Sequence, residues 1–409
     1  MRVGIESIVL PPAASGQAIA LYNLLKDIPN ELFFFISSKC FEFERPTDST
    51  KRLNVQYHRV YRAPWRFERV LLYFYCKFWK SPLLWYAKII SWQIKRILKQ
   101  EKAEAIIACT ADYLEPYSSF CAARSMKIPF ILYAFDDYVS QHWIDKLTRI
   151  FSKNYGPILI KEADLVIAPN EFLQKSYYQK YGILPIVIHN PIDLKIYNDL
   201  KPNIFEPPKD LDQRKNKIKI VYTGAIYEAH YSAFSNLLKA IQKIPELNIQ
   251  LHIYSEFSKE NLIANGIKGP VIFHSSIKIF EVAQIQVHAD ILFLPLAFSS
   301  KYPDDIMRTA SPMKMGEYLA SGVPILVHAP SDSYVSWYFT QYNCGVVVDD
   351  DDPEKLAIAI KSLINDSDFR NGIVKNARER AIIDFSLDNA QDHFKKILTQ
   401  MSIPKTSAV

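Results

Sequence analysis

The segment from residue 309 to residue 326 constrains the fold most, because it encodes a helix with both of its ends marked. Ser311 is a favourable N-cap residue, and Pro312 suits the first helical position. Gly322 can end the helix in the left-handed conformation, and Pro324 prevents the helix from continuing. The sequence therefore predicts a short helix that is capped by Ser311 and stops at Gly322.

Apolar runs at 291–296 and 325–327 flank this helix and indicate buried strands of a parallel sheet. In such a sheet, ligands bind beyond the carboxyl ends of the strands, where a helix N-terminus favours phosphate. Lys314 and Glu317 share one helix face near that end, so a cation for a diphosphate and a carboxylate for ribose hydroxyls lie close together. The alternative is a surface ion pair. Gly316 argues against it, since a glycine inside a helix usually signals close approach of a ligand or another backbone.

Strands and helices alternate along most of the chain, which predicts parallel sheets in two halves. A length of 409 residues also suits two domains rather than one core. We expect helices at Gly16–Leu25 and Glu171–Tyr181, and a polar, proline-bearing linker at 197–215. The predicted strands are Val3–Val9, Leu32–Ile36, Ala105–Ala108, Phe130–Tyr133, Leu165–Ala168, Ile186–His189, Ile218–Tyr222, Ile249–Tyr254, Val271–His274, Ile291–Leu296 and Ile325–Val327.

Positive charge is concentrated in residues 51–100, which hold twelve Lys or Arg and one acid, whereas the whole chain has a net charge of +6. The same stretch carries twelve aromatic residues. Two alternatives are a nucleic-acid groove, for which the stretch is too apolar, and the core of the first domain. We expect these residues to form amphipathic helices that dock on an anionic membrane without spanning it. The predicted docking residues are Arg62, Arg66, Arg69, Lys77 and Lys80.

The five cysteines form no metal or disulfide spacing, which favours a reducing cytosol, and the N-terminus does not have the pattern of a signal peptide. The acidic run 349–352 suggests either a metal site or a solvated turn before a helix that begins at Pro353, and we favour the turn. We therefore expect a cytoplasmic protein on the inner face of the cell membrane, with no bound metal.

The pattern Ser311-Pro312-x-Lys314-x-x-Glu317, continuing to Gly322 and Pro324, resembles the donor-site motif of GT-B glycosyltransferases, chiefly glycosyltransferase family 4. Glu317 matches the second glutamate of the family's Glu-x7-Glu motif, which binds the nucleotide ribose. Similar segments cover nearly the whole chain. They include the loop before Gly16, the strand 163–170, the Asn-Pro-Ile-Asp segment 190–193, the strand 288–295 and the closing strand and helix at 343–357.

Two departures from the family pattern concern the donor. Thr309 stands where the first glutamate of Glu-x7-Glu is expected. Gly224-Ala225 and His230-Tyr231 replace a Gly-Arg and a Lys-Gly pair, so the usual two diphosphate cations are absent. Lys314, together with Arg308, would then have to carry that charge.

The resemblance implies an α/β fold of GT-B type, with two Rossmann-like domains whose parallel sheets face an interdomain cleft. It implies an acceptor-binding domain at 1–196, a nucleotide-sugar-binding domain at 216–385, and a C-terminal helix in 386–409 that returns to the first domain. The donor-binding residues would be Gly16, Gly224, Arg308, Ser311, Pro312, Met313, Lys314 and Glu317.

On the acceptor side, Asp136 and Asp137 follow the strand 130–133, where either carboxylate can orient or deprotonate an acceptor hydroxyl. The alternative is a helix N-cap. The resemblance implies retaining transfer from a nucleotide-diphosphate sugar to a glycan or lipid-linked acceptor, without a cofactor and without nucleic acid. Two other functions remain open, a catalytically silent GT-B binding protein and a GT-B sugar-nucleotide epimerase.

Overall fold

The computed structural model describes residues 1–13, 15–38, 51–78, 81–110, 112–140, 146–200, 217–275, 277 and 279–400. The chain divides into two compact units, each with its own sheet. The first unit consists of Met1–Pro191 and Leu387–Val409, and the second consists of Ile192–Ser386. Most of the predicted linker lies outside the described residues.

The first unit is built around a seven-stranded sheet with the order β3-β2-β1-β4-β5-β6-β7, in which all pairs are parallel. Its strands are β1 (Val3–Glu6), β2 (Phe33–Ser37), β3 (Tyr57–Arg59), β4 (Ala105–Cys109), β5 (Phe130–Tyr133), β6 (Leu165–Ala168) and β7 (Ile186–Val187). Its first helices are α1 (Gly16–Leu25), α2 (Trp65–Phe78), α3 (Ser81–Gln100), α4 (Glu115–Met126), α5 (Lys146–Glu162) and α6 (Glu171–Tyr181).

Both faces of this sheet are covered by apolar packing, which explains why its strands read as continuous hydrophobic runs. Phe33 and Phe35 belong to one buried cluster, whereas Phe34 and Ile36 belong to the cluster on the other face. The predicted helices at Gly16–Leu25 and Glu171–Tyr181 are confirmed. Local signals fix their ends, because Ser15 and Asn170 accept hydrogen bonds from the first turns and Gly182 ends α6 at φ 74°.

The second unit contains a six-stranded parallel sheet with the order β10-β9-β8-β11-β12-β13. Its strands are β8 (Ile218–Thr223), β9 (Ile249–Tyr254), β10 (Val271–His274), β11 (Ile291–Pro295), β12 (Ile325–His328) and β13 (Val346–Val348). Its helices are α7 (Leu194–Asn198), α8 (Tyr231–Gln242), α9 (Lys259–Ala264), α10 (Ile279–Val287), α11 (Asp304–Thr309), α12 (Lys314–Ser321), α13 (Tyr334–Gln341), α14 (Pro353–Asn365) and α15 (Ser367–Asp384). The last helix, α16 (Leu387–Gln400), belongs to the first unit, where it packs on α1.

The strand order reverses direction at the first strand of each sheet, so both units are Rossmann-like and the predicted α/β class is confirmed. In the first sheet the reversal lies between β1 and β4, and in the second it lies between β8 and β11. Ligands of doubly wound sheets bind at such a switch point, beyond the carboxyl ends of the strands. The strands that the sequence predicted are placed to within a few residues, and the one expected at Val3–Val9 ends earlier, at Glu6. The edge strand β3 was not predicted, because it lies in the basic, aromatic stretch that was expected to be helical.

The predicted start of the 309–326 helix is wrong. The helix α12 begins at Lys314, and Met313 rather than Ser311 occupies the N-cap position. The reason is that the preceding residues form the separate helix α11, so the chain must turn before α12, with the Met315 amide bonded to the Pro312 carbonyl at 3.0 Å. The predicted end is confirmed, since Gly322 has φ 75° at the C-terminus of the helix.

Candidate donor site and acceptor-side carboxylates

Lys314 and Gly224 meet at the switch point of the second sheet. Gly224 follows β8 with φ +123°, a conformation that favours glycine. A Cβ atom at this position would lie 2.8 Å from Lys314 Cε and 2.9 Å from Nζ. The Lys314 ammonium lies 4.9 Å from the centre of the Tyr222 ring. The first residue of α12 therefore directs a cation along the backbone turn that follows the central strand.

Glu317 is held one turn further along α12 by side chains from β8 and α10. Gln286 Nε2 donates to Glu317 Oε2 at 3.0 Å and to Thr223 Oγ1 at 3.0 Å. The Tyr197 hydroxyl donates to Gln286 Oε1 at 2.7 Å, which fixes the orientation of the amide. Tyr318 completes the group, because its hydroxyl accepts from the Thr223 amide at 3.3 Å. The half-buried Glu317 carboxylate is thus positioned before any ligand arrives.

Burial shapes the electrostatics of this site. It lowers the pKa of Lys314, which Tyr318 and Glu317 partly restore. It also lowers the pKa of the His230 imidazole to about 3, with a further contribution from Lys314. His230 is therefore neutral near pH 7 and cannot replace the missing family cation at this place. An anion bound beside Lys314 would restore the pKa of the ammonium, because opposite charge favours the protonated form.

The other predicted donor residues lie close to α12 in sequence but differ in role. Arg308 pairs with Asp305 on its own helix at 3.2 Å. Thr309, at the family's first glutamate position, is buried and donates to the Asp305 carbonyl at 2.7 Å. Ser311, Pro312 and Met313 form the turn before α12. Their roles in donor binding stay predictions.

Gly316 has a packing explanation in place of the predicted ligand or backbone approach. A Cβ atom there would lie 3.0 Å from Ile192 Cγ2 and 3.0 Å from Phe385 Cδ1. Both neighbours are side chains of the second unit, and the Ile192 amide also bonds the Phe385 carbonyl at 2.8 Å. This glycine lets α12 approach the segment that closes the unit.

Asp136 and Asp137 follow β5 in the first unit, and their environments differ. The buried Asp137 carboxylate accepts from the Val139 amide at 3.2 Å and lies 3.9 Å from Lys180 Nζ. It therefore caps a tight turn, a structural role similar to the helix N-cap that was the alternative interpretation of this pair. Burial, together with Asp137, raises the pKa of the Asp136 carboxyl to about 7.

Gly16, the predicted donor-binding residue of the first unit, is exposed at the start of α1 and follows the N-cap residue Ser15.

The predicted docking residues do not all face solvent. Arg66 and Arg69 on α2 are exposed. Arg62 is not available for docking, because its side chain is only 13% exposed and pairs with Glu68, Asp112 and Glu115. The side chain of Lys77 and the whole of Lys80 lie outside the described residues.

Large apolar side chains are exposed on the same two helices. On α2 and α3 these are Phe67, Val70, Tyr73, Phe74, Trp85, Ile89 and Trp92. Trp85 and Trp92 are 65% and 62% exposed, and Lys88 lies 4.9 Å from the Trp85 ring. Among the described helices, we find none with the length and apolar character needed to cross a bilayer.

The acidic run 349–352 serves local structure in the second unit. Asp350 pairs with Lys355, Asp351 accepts from Asn236 at 2.5 Å, and Asp352 caps α14. In the described part of the chain, His, Cys, Asp and Glu side chains do not gather in threes where they could hold a metal ion.

Two Rossmann-like units, with a cation and a carboxylate at the switch point of the second, define the GT-B class of fold. Comparison with known proteins agrees with this class. Residues 47–196 match glycosyltransferase family 4, and residues 217–366 match glycosyl transferases group 1. An uncharacterised glycosyltransferase of Methanocaldococcus jannaschii is 23% identical over 273 residues, which are 63% of this chain and 64% of that relative.

Solved structures resemble the whole chain in fold. A glycosyltransferase of Rickettsia africae aligns with a TM-score of 0.68 and 16% identity over 99% of this chain and 100% of its own. The Anabaena protein HepE, solved in complex with UDP and glucose, aligns with a TM-score of 0.67 and 14% identity over 98% of this chain and 99% of its own. Sucrose-phosphate synthase of Thermosynechococcus elongatus aligns with a TM-score of 0.68 and 14% identity over 98% of this chain and 99% of its own. The chain belongs to the GT-B glycosyltransferases that resemble family 4.

Proposed function

We propose that this protein transfers a sugar from a nucleotide-diphosphate donor to a hydroxyl group of an acceptor, with retention and without a tightly bound metal. The observation that carries the proposal is the position of Lys314 and Glu317 at the start of α12, beside the Gly224 turn at the sheet's switch point. Solved structures of HepE contain UDP and UDP-glucose, which supports a nucleotide sugar as the donor class.

The donor site matches the chemistry of a departing diphosphate. When the bond between the anomeric carbon and the β-phosphate oxygen breaks, negative charge develops on the nucleoside diphosphate. Lys314 and the N-terminal amides of α12 offset that charge, and their position is fixed before the reaction starts. Glu317 accepts hydrogen bonds from ribose hydroxyls, since an ionised carboxylate is an acceptor only. Gln286 keeps one oxygen of Glu317 engaged and so orients the other.

Asp136 is the better of the two candidates for the acceptor side. The acceptor oxygen forms the new glycosidic bond, and its proton needs a base. A carboxylate whose pKa is raised to about 7 is matched to this task at neutral pH. Asp137 is engaged in its turn and with Lys180, and its contribution is to raise the pKa of Asp136.

A lipid-linked or cell-surface glycan is the acceptor class we propose. Its support is the exposed aromatic face of α2 and α3, where Arg66, Arg69 and Lys88 accompany apolar side chains. Aromatic and basic residues together suit the interface of an anionic leaflet, with each basic residue near the surface contributing about 1 kcal/mol. A protein docked in this way works on the cytoplasmic face of a membrane, where polysaccharide or glycolipid precursors are assembled.

The proposal is tested first by donor binding. We expect one nucleotide-diphosphate sugar of a panel to raise the unfolding temperature, and Glu317→Ala to weaken its binding about ten- to a hundredfold, since a charge-assisted hydrogen bond is worth about 1.5–3 kcal/mol. Calorimetric titration of the folded variant measures this. Glu379→Ala, at an exposed position of the same unit, is the matched control.

Product analysis with the bound donor separates the functions. Transfer to an acceptor hydroxyl with the anomeric configuration kept supports the proposal. Isomerised donor would indicate the epimerase, and a donor that binds without turnover would indicate a silent binding protein. Unchanged affinity in Glu317→Ala would contradict the assignment of the site.

A further inference from the structure

A cluster of charged side chains lies at the switch point of the first sheet, and the proposed transfer reaction does not use it. We call it the carboxyl cluster: Glu6, Glu68, Asp112 and Glu115, with Arg62 among them. Glu6 ends β1, Asp112 follows β4 and Glu115 begins α4, so the cluster joins the two central strands to the helix that follows them. Four carboxyl groups therefore meet one guanidinium within the described residues.

Arg62 satisfies three of the four carboxyl groups. Its Nε and Nη2 atoms donate to the two oxygens of Glu68 at 2.9 and 2.7 Å. Its Nη1 atom lies 3.0 Å from Asp112 and 2.9 Å from Glu115. The Tyr86 hydroxyl also donates to Glu68 at 3.0 Å. The single positive charge is thus fully engaged, and Glu6 makes no ion pair with it in the described structure.

Glu6 is fully buried and contacts the carboxyl group of Glu115, which is fully buried as well. Within the described part of the chain, neither Glu6 Oε1 nor Glu115 Oε2 receives a hydrogen bond from a donor. The Ser119 hydroxyl reaches the other oxygen of Glu6 only at 3.5 Å. Two ionised carboxylates have no proton to share, so a hydrogen bond between Glu6 and Glu115 can form only when one of them is protonated.

We propose that Glu6 and Glu115 form a proton-binding site that holds one proton at neutral pH. The proton stays on the Glu6 carboxyl, which donates a hydrogen bond to Glu115. The Glu115 carboxylate remains paired with Arg62. A buried pair of like charges would carry the full desolvation cost and their mutual repulsion, and the proton removes both.

The groups around Glu6 raise its pKa and so favour its protonated form, except for Arg62, which lowers its pKa. Burial is the largest cause that raises the pKa of Glu6, followed by Glu115 and Asp112, and Arg62 opposes them. Among the described residues, the other titratable groups that interact with Glu6 are the Cys109 thiol on β4 and the Tyr138 phenol after β5. Burial and Glu6 raise the pKa of Cys109, and burial raises that of Tyr138, so neither supplies a countercharge.

The Glu6 side of the site adjoins the turn that follows β1. Ser7, next to Glu6, donates to the Val9 carbonyl at 2.9 Å and accepts from Gln17 Nε2 at 2.7 Å, in the first turn of α1.

Because the pKa of Glu6 is higher in the folded state than in the unfolded chain, the folded state binds one more proton than the unfolded chain at pH values between these two pKa values. The contribution of Glu6 to the stability of the fold is fully present below about pH 4.5, its pKa in the unfolded chain. This contribution is lost as the pH rises through the higher pKa that Glu6 has in the folded state.

Glu6→Gln tests the site, because an amide is isosteric with the protonated carboxyl and can donate to Glu115 without releasing a proton. We expect its unfolding temperature to exceed that of the unchanged protein by about 2–4 °C or more at pH 8. The difference should shrink towards pH 5. Glu162→Gln, at an exposed position of the same unit, should leave the pH dependence as it is.

Infrared spectroscopy gives a second readout that needs no activity. The measurement uses the Asp136→Asn background, because the Asp136 carboxyl is itself partly protonated near neutral pH. In that background the protein should show the C=O stretch of a protonated carboxyl at pH 7, and the further change Glu6→Gln should remove it. A destabilised or unfolded Glu6→Gln protein, or spectra at pH 7 without this band, would overturn the proposal. Neither measurement depends on sugar transfer, so the result is separate from the fate of the proposed function.

Discussion

At the scale of single residues, burial decides what each charged side chain can do. Asp136 and Asp137 are neighbours in sequence, and sequence reasoning could not separate them. The structure engages Asp137 in a turn and raises the pKa of Asp136 to about 7. Arg62 and Arg66 look alike in the sequence, yet Arg66 is exposed and Arg62 is largely buried and paired with three carboxylates. The pattern gives the residue type, and the packed neighbours give the role.

Asp136→Asn should lower kcat by about a hundredfold or more, because it removes a general base while the size of the side chain is kept. In the unchanged enzyme the rate should rise with pH through about 7, as the Asp136 carboxyl loses its proton, and this rise should be absent from the variant. Initial rates between pH 5.5 and about 8.5, at saturating donor, measure both effects.

The control for this experiment is Asp137→Asn, which removes a turn contact and should lower stability while a rise with pH remains. Donor affinity should be unchanged in both variants, since Asp136 and Asp137 belong to the first unit, whereas Lys314 and Glu317 belong to the second. Full transfer rates with an unaltered pH profile in Asp136→Asn would show that its carboxyl is structural.

At the scale of elements, the helices α2 and α3 pack against each other and keep apolar side chains on the surface. Leu83, Ala87, Ile90 and Ile94 of α3 are buried in the core, whereas Trp85, Ile89 and Trp92 are exposed. Only part of the aromatic stretch is therefore core, and a face remains for another partner. Composition alone could not divide these residues, because the division depends on which side of each helix meets the sheet.

We expect vesicles that contain anionic phosphatidylglycerol to sediment the protein, with binding that weakens as salt is added. Arg66→Ser with Arg69→Ser should reduce binding by about 2 kcal/mol, and Trp85→Ser with Trp92→Ser should reduce it independently of salt. Tyr178→Ser, at an exposed aromatic position on α6, is the matched control.

Arg62 is left out of this set, because its loss would leave three carboxylates without their cation and disturb the fold itself. Equal binding to neutral phosphatidylcholine vesicles, or no binding to anionic ones, would contradict membrane docking.

At the scale of the whole molecule, the last helix belongs with the first residues of the chain. Ala390, Phe394 and Ile397 of α16 are buried in the same cluster as Leu21 and Leu24. Gln391 adds polar contacts to α1 and the residues after it, because its Nε2 atom donates to the Asn23 carbonyl at 2.8 Å and to Asp27 at 3.0 Å. The first unit is therefore complete only with residues from both ends of the sequence.

Phe394→Ala should destabilise the first unit by about 3–5 kcal/mol, the usual cost of truncating a buried phenylalanine. Chemical unfolding followed by near-ultraviolet circular dichroism measures the loss, and nucleotide titration should show an unchanged donor site in the second unit. Lys395→Ala, at the adjacent exposed position, should cost little. Equal stability of the two variants would mean that α16 contributes no packing energy.

The sequence by itself determined the features that depend on neighbours along the chain. The parallel strands were visible because both of their faces are buried, which makes their residues apolar throughout. The helix end at Gly322 and the pairing of Lys314 with Glu317 on one face follow from local geometry.

Only the tertiary structure decided which distant side chains meet these features. Gln286, Thr223 and Tyr197 hold Glu317 from three other elements, and no spacing in the sequence indicates them. His230 had only its place in the family pattern as a signal, and its neutrality depends on burial and on the charge of Lys314. The start of α12 was misplaced because a second helix, α11, competes for the residues before it. Desolvation and contact between remote segments are properties of the packed chain, and for that reason the roles of Arg62, Glu6 and Asp136 could not be obtained from residue order alone.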